Sequence, residues 1–222
     1  MKYDNAQAEA EWLPRVLRFF SAIVTLVVFC MMANRILATE SPSSSPIASG
    51  VVESFHAILI ECMKRSDEIG FAGRYQLILD SQGETFDIPT IARTSILRGW
   101  KRLGTEDRSR WVALARRYWA SRYAYEYRRF SGQSFETLGV DRAADDSLMV
   151  HTKLTLSDGD DLKLDYRMRK IDDVWRIIDI QVPGQRSEVR SLREFNYAVL
   201  ERRSFEDLLN AIGQEIEQFQ RE

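Results

Sequence analysis

The chain has 222 residues, with 31 Lys and Arg against 33 Asp and Glu, and a formal net charge of -2. Apolar residues make up 45% and charged residues 29%, as in an ordinary globular protein with a sizeable core. The balanced charge argues against a general nucleic-acid binder, which is usually strongly basic. Two cysteines are too few for a disulfide framework or a Cys-based zinc site, and two histidines leave little room for a His-based metal centre. We therefore expect no cofactor.

The N-terminal segment, residues 1–38, has the pattern of an export signal. An apolar run at 19–33 follows Arg15 and Arg18. At about 15 residues it is shorter than the roughly 20 that span a bilayer, as in a signal peptide. Ala38 is an acceptable cleavage position, and because acidic residues precede the run, a retained membrane anchor is the competing interpretation. Either interpretation exports the rest of the chain.

A spacer and a helical half follow. Residues 39–50 are rich in Ser and Pro and predict a flexible linker, so we expect a single domain over 51–222. Apolar residues then recur at spacings of three and four, which predicts a helix that ends at Gly70 with a left-handed cap. A second helix is expected over 71–79. Asp87 and Pro89 indicate the start of a third.

The next helix is long and rich in Arg and aromatic residues. Thr105 is expected to cap it, and it should extend to about Arg129. Basic and aromatic residues together can bind single-stranded nucleic acid. Here, however, the arginines gather on one helical face, whereas Trp119 and Tyr123 lie nearly opposite. This separation indicates a solvated face and a core face, so we expect no nucleic-acid partner.

The second half of the chain alternates with a period of two. Residues 148–156 and 162–169 predict two half-buried strands that are joined by a hairpin at 158–160. Residues 174–182 are apolar on both faces, which predicts a central or doubly covered strand. Residues 135–140 are a candidate for a fourth strand. Two amphipathic helices follow, and Ser204 and Asp207 form a capping pair for the second. The order of elements predicts an α+β fold.

Catalytic signals are weak. His56 lies on a helical pattern and His151 on the polar side of a strand, and neither belongs to a recognisable motif. The chain contains no Walker loop and no dinucleotide-binding glycine motif. We therefore expect a protein that is not an enzyme. Such an exported domain either binds an apolar ligand in a cavity or acts as a protein-binding module.

Two stretches, 86–139 and 161–213, resemble the MlaC, or toluene-tolerance, family of exported lipid-binding proteins. The order of features is similar: an aromatic helix, strands, a W-R-x-x-D strand at 175–179, and a terminal helical pair that ends in F-x-x-L-L. The stretches GFAGRY at 70–75 and SEVRSLREF at 187–195 look closest to the hopanoid-associated HpnM branch. The resemblance covers about 50–215, and its ordered motifs are specific only in combination. The PGQR stretch at 183–186 departs from the family pattern.

The resemblance implies a monomeric periplasmic carrier with a four-stranded curved sheet, a C-terminal helical pair and an apolar cavity between sheet and helices. Its expected partners are a phospholipid or hopanoid ligand and membrane-bound transporter components. A dry cavity suits this task, because exposing a lipid tail to water costs about 0.8 kcal/mol per CH₂. The candidate lining residues are Ile91, Trp119, Tyr123, Leu164, Tyr166, Ile178, Ile180 and Phe195. Plain core packing is the alternative for each of them, and a membrane-anchored scaffold is the alternative for the whole protein.

Overall fold

The computed structural model describes residues 44–143, 145–184 and 187–221. This part of the chain contains seven helices and one four-stranded antiparallel sheet, which confirms the predicted α+β fold. The helices are α1 Ser44–Lys64, α2 Ser66–Thr85, α3 Ile88–Ser95, α4 Leu97–Trp100, α5 Thr105–Glu126, α6 Glu188–Leu200 and α7 Phe205–Arg221. The strands are β1 Ser134–Arg142, β2 Leu148–Thr155, β3 Asp161–Ile171 and β4 Val174–Gln181.

Helix α1 begins earlier than the sequence pattern indicated. It starts at Ser44, so 44–50 of the expected linker are helical, and Ala48 is fully buried. Pro46 is compatible with this start because the first turn of a helix leaves its N–H groups unbonded. The predicted export signal and residues 39–43 lie outside the described residues.

The length and mean hydropathy of Ser45–Lys64, 1.3, would also suit a membrane span, and within the described residues no other helix has both properties. One face of this helix, however, belongs to the core of the domain. Val52, Phe55 and Leu59 are fully buried there, together with Cys62, at spacings of three and four. The apolar composition of α1 is therefore explained by its packing within the domain.

Helix boundaries around Gly70 and Gly104 differ from the prediction. Helix α1 ends at Lys64, and Gly70 interrupts α2 with φ 59° and ψ -170° instead of capping α1. Helix α5 begins at Thr105 itself, with Gly104 at the N-cap position and no side-chain cap, and it ends at Glu126. The predicted Thr105 cap is therefore wrong. The predicted start of α3 is confirmed, since the Asp87 carboxylate accepts from the Thr90 N–H at 3.2 Å.

The sheet is a simple meander in the order β1-β2-β3-β4. Strand β4 is therefore an edge strand, so the first of its two predicted alternatives, a central strand, is wrong. A bulge explains its apolar pattern: Met168 pairs with Ile177 and Arg167 with Asp179, so Ile178 is left over. The extra residue resets the alternation and places Ile177 and Ile180 on the same buried face.

The outer edge of β4 is covered by two isolated bridges. Phe86, just after α2, pairs with Ile177, and Ser187, just before α6, pairs with Gln181. At the other end of the domain, the predicted capping pair is confirmed. The Asp207 N–H donates to the Ser204 hydroxyl at 3.1 Å, and the Ser204 N–H donates back to the Asp207 carboxylate at 3.0 Å. The two bridges join the segments just before α3 and α6 to the outer edge of β4.

Candidate functional site

A small void lies between the helices and the sheet, where α3, α5, α6 and β4 meet. It is lined by Phe86, Ile91, Trp119, Tyr123, Ile177, Asp179, Ile180 and Val189. Its free volume is about 10 Å³, roughly the space that one water molecule needs. Among the described residues, the space between sheet and helices where a lipid cavity was predicted contains only this small apolar void, which side chains nearly fill.

Two polar groups border this void. The Asp179 carboxylate accepts from the backbone N–H groups of Ile180 at 2.9 Å and Val189 at 3.3 Å. Burial raises the pKa of Asp179, and these hydrogen bonds oppose the rise. The indole N–H of Trp119 is buried and has no hydrogen-bond partner among the described residues. An unpaired buried donor is costly, and Trp119 is one of the residues that line the void.

A charged cluster lies on the helical side of Tyr123. The Arg122 guanidinium contacts Glu188 at 3.2 Å and Glu126 at 2.7 Å, and the Tyr123 hydroxyl donates to Glu188 at 3.5 Å. Burial raises the pKa of Glu188 to about 7, although Arg122 favours its charged form. Burial also raises the pKa of Tyr123 well above its usual range, so its hydroxyl stays protonated. Tyr123 is the member of this cluster that also lines the void, whereas Arg122 and Glu188 line a separate surface pocket.

An aromatic cluster fills the space beside the void. The rings of Phe55 and Phe86 meet edge to face at 4.9 Å, and those of Phe55 and Tyr123 at 5.3 Å. His56 stacks on Phe135 at 3.9 Å, and its Nε2 is 2.9 Å from the Tyr166 hydroxyl. Phe86 and Tyr123 of this cluster also line the void.

Both histidines have partners that the sequence did not reveal. Burial lowers the pKa of His56 to about 4, so its ring is neutral at pH 7 and serves as a hydrogen-bond partner of Tyr166. On the other face of the sheet, His151 lies between Asp165 at 2.8 Å and Asp141 at 3.2 Å, and joins three strands. Within the described part of the chain, no group of three His, Cys, Asp or Glu side chains could hold a metal ion.

An open pocket of about 420 Å³ adjoins the void. Its lining residues are Thr94, Arg167, Asp179, Gln181, Ser187, Val189, Arg190 and Arg193. Asp179 and Val189 belong to both linings, so they form the partition between the buried void and this surface pocket.

The model of the family described as MlaC protein matches residues 53–214. This chain belongs to the MlaC family. A solved structure with a similar fold is a phospholipid-binding protein from Ralstonia solanacearum in complex with a phospholipid. It has a TM-score of 0.65 and 18% sequence identity, and the match covers 78% of this chain and 98% of that chain. No curated protein matches the chain. The predicted family is confirmed, whereas the hopanoid-associated branch stays a prediction.

In this MlaC-family chain, the structure brings four of the candidate lining residues together. Ile91, Trp119, Tyr123 and Ile180 surround the void. Leu164, Tyr166 and Ile178 are buried but do not line it.

Phe195 is placed differently from the prediction, since 46% of its surface is exposed. The core-facing stripe of α6 contains Val189, Leu192 and the polar Asn196. Asn196 occupies the inward position next to Phe195, because its side-chain amide donates to the Ser95 carbonyl at 3.0 Å. The apolar pattern of α6 could not show that the polar Asn196 would face the core and that Phe195 would face the surface.

Four residues of the void were missed by sequence reasoning: Phe86, Ile177, Asp179 and Val189. Phe86 reaches the site through its bridge to β4, which depends on tertiary packing. Asp179 did carry a signal, since it is a single acid between two isoleucines in an apolar strand.

Proposed function

We propose that this protein is a periplasmic lipid carrier. It binds the apolar part of a phospholipid or a hopanoid-type lipid between its sheet and its helices, and it passes the lipid between membrane-bound transporter components. The observation that carries the proposal is the apolar, aromatic-lined void between the two layers of an MlaC-family fold. The Ralstonia protein with a similar fold is a phospholipid complex, which supports the same ligand class.

Lipid binding at this void requires the layers to separate. A free volume of about 10 Å³ cannot hold an acyl chain, yet each methylene that leaves water contributes about 0.8 kcal/mol. The helices and the outer edge of β4 are joined by isolated bridges instead of a continuous ladder, with the Asp87 N–H donating to the Ile177 carbonyl at 3.0 Å. Few backbone hydrogen bonds therefore oppose the movement of α3 and α6 away from β4.

The proposal is tested by blocking the void. The full chain is purified from its native host, and co-purified lipid is extracted and quantified by mass spectrometry. Val189→Phe introduces an aromatic ring at a residue that lines the void. Such overpacking typically costs about 1–3 kcal/mol of stability. We expect it to fold and to carry much less lipid than the wild type.

Leu192→Phe is the matched control, because Leu192 lies one turn later on the same buried stripe of α6 and lines a different pocket, with Tyr118 and Phe195, and not the void. It should retain lipid at the wild-type level. Melting temperatures of both variants separate a blocked site from a damaged fold. Wild-type protein without any lipid would contradict the carrier proposal and favour an anchored scaffold.

A further inference from the structure

We infer that the open pocket beside the void binds the phosphate of a lipid headgroup. This inference rests on the proposed function, since it assigns the polar end of the ligand whose apolar part lies in the void. Among the described residues, the pocket is lined by three arginines, Arg167, Arg190 and Arg193, and one acid, Asp179. Guanidinium groups bind phosphate with paired, charge-assisted hydrogen bonds.

The position of this arginine pocket fits the two ends of one lipid. Helix α3 contributes Ile91 to the void and Thr94, one turn later, to the pocket. Strand β4 contributes Ile180 to the void and the adjacent Gln181 to the pocket. The same elements therefore carry an apolar surface inward and a polar surface outward, with Asp179 and Val189 between them.

The single acid of the pocket is already compensated. The Asp179 carboxylate faces the first turn of α6, where it accepts the N–H of Val189, and the positive end of a helix stabilises a carboxylate there. The negative charge of Asp179 is thus partly compensated by backbone N–H groups. Asp179 therefore repels an anion in the pocket less than an uncompensated carboxylate would.

The three arginines are engaged to different degrees. Arg167 contacts Asp145 at 2.8 Å and the Ser147 hydroxyl at 3.1 Å, so it is held in place across the β-hairpin. Arg190 has one exposed contact to Glu194 at 3.4 Å. Arg193 makes no ion pair with any residue of the described part of the chain. Arg190 and Arg193 lie three residues apart on α6, so both can turn toward one phosphate.

The test compares two lipids that differ only by a phosphate. Full-length protein is stripped of lipid and titrated with vesicles that contain dioleoylphosphatidic acid or dioleoylglycerol, and retained lipid is quantified by mass spectrometry after gel filtration. The double variant Arg190→Gln, Arg193→Gln removes two guanidinium groups and leaves the structural Arg167 in place. Arg202→Gln, Arg203→Gln is the matched control, because both residues are exposed in the turn after α6 and lie outside the pocket.

We expect the pocket variant to bind phosphatidic acid at least about tenfold more weakly and to bind dioleoylglycerol as the wild type does. The control variant should match the wild type for both lipids. Unchanged binding of phosphatidic acid, or an equal loss of both lipids at an unchanged melting temperature, would overturn the headgroup assignment and leave the carrier proposal standing.

Calorimetric titration with inorganic phosphate tests whether the pocket binds free phosphate instead of the phosphate of a lipid headgroup. If free phosphate binds the wild type as tightly as phosphatidic acid does, and the pocket variant loses it, the pocket is a phosphate site without a lipid role. If the wild type retains neither lipid, the carrier proposal itself fails and the headgroup assignment fails with it.

Discussion

Tyr166 lies in the packed core, although its strand pattern also suited a ligand surface. Its side chain is 1% exposed, and its neighbours across the sheet are Val150 and Ile180. The hydroxyl is held by His56 at 2.9 Å. Tyr166 therefore contributes to the stability of the sheet and α1, and any effect of its substitution on lipid binding would be indirect.

Tyr166→Asp should prevent stable folding. The change places an unpaired carboxylate among apolar side chains, and an isolated buried charge costs several kcal/mol or takes up a proton. Circular dichroism melting is the measurement, with Leu138→Asp as control because Leu138 is 50% exposed on β1. A cooperatively melting Tyr166→Asp protein would show that water reaches this position, as it would in a cavity that opens.

His56 should make the stability depend on pH between 6.5 and 4. Its pKa falls from 6.5 to about 4 on folding, so the folded state binds fewer protons than the unfolded state in this range. Stability is therefore greatest above pH 6.5 and declines as the pH falls toward 4, by about 1.4 kcal/mol per pH unit. His56→Gln keeps a partner for Tyr166 and removes the titration, so its acid-side loss of stability should be smaller.

Urea unfolding of both proteins at several pH values measures this difference. Glu188 acts in the opposite direction, because its pKa rises from 4.5 to about 7 on folding and its contribution to stability declines as pH rises through that range. Because Glu188 is present in both proteins, the difference between their pH dependences of stability reports the contribution of His56 alone. Parallel curves for the two proteins would show that His56 does not titrate as a buried neutral ring.

At the scale of elements, the break in α2 depends on a glycine. Gly70 has φ 59° and ψ -170°, a conformation that side chains rarely adopt. A Cβ at Gly70 would meet no atom within 4 Å, so any cost of a substitution comes from the backbone alone. The same helix contains Gly83, whose added Cβ would also meet no atom within 4 Å and whose φ is not positive.

Gly70→Ala should lower the free energy of unfolding by about 1–3 kcal/mol, because alanine is strained at this φ and ψ. Gly83→Ala should raise it by about 0.5–1 kcal/mol, because alanine is the better helix former. Urea titration at neutral pH measures both changes. Equal effects of the two substitutions would mean that Gly70 relaxes into a regular helix at little cost.

At the scale of the whole molecule, the predicted export signal concerns where the domain works. The apolar run at 19–33 is short and Ala38 follows it, so we expect cleavage after Ala38 and release of the domain into the periplasm. N-terminal sequencing of the protein from its native host measures this. Recovery of intact Met1 in washed membranes would support the anchored alternative.

Local patterns were sufficient for most elements of this protein. The four strands, the Asp87 start of α3 and the Ser204–Asp207 pair depend on residues two to four positions apart, and such neighbours interact before any tertiary structure forms. The family could likewise be predicted from the order of motifs, and the match over 53–214 confirms it. The sequence by itself therefore determined the fold class, the order of most elements and most of their apolar faces.

Only the tertiary structure decided which of those faces meet at the void. Periodicity predicted inward positions for Leu164 as well as for Ile91, Trp119 and Ile180. Only the packing of α3, α5 and α6 on β4 determines which of these residues line the void and which lie in the core. The bulge at Ile178 and the inward position of Asn196 changed the outcome in ways that no local pattern contains. Contacts such as His56 with Tyr166 join residues 110 positions apart, and a local pattern cannot encode a partner at that distance.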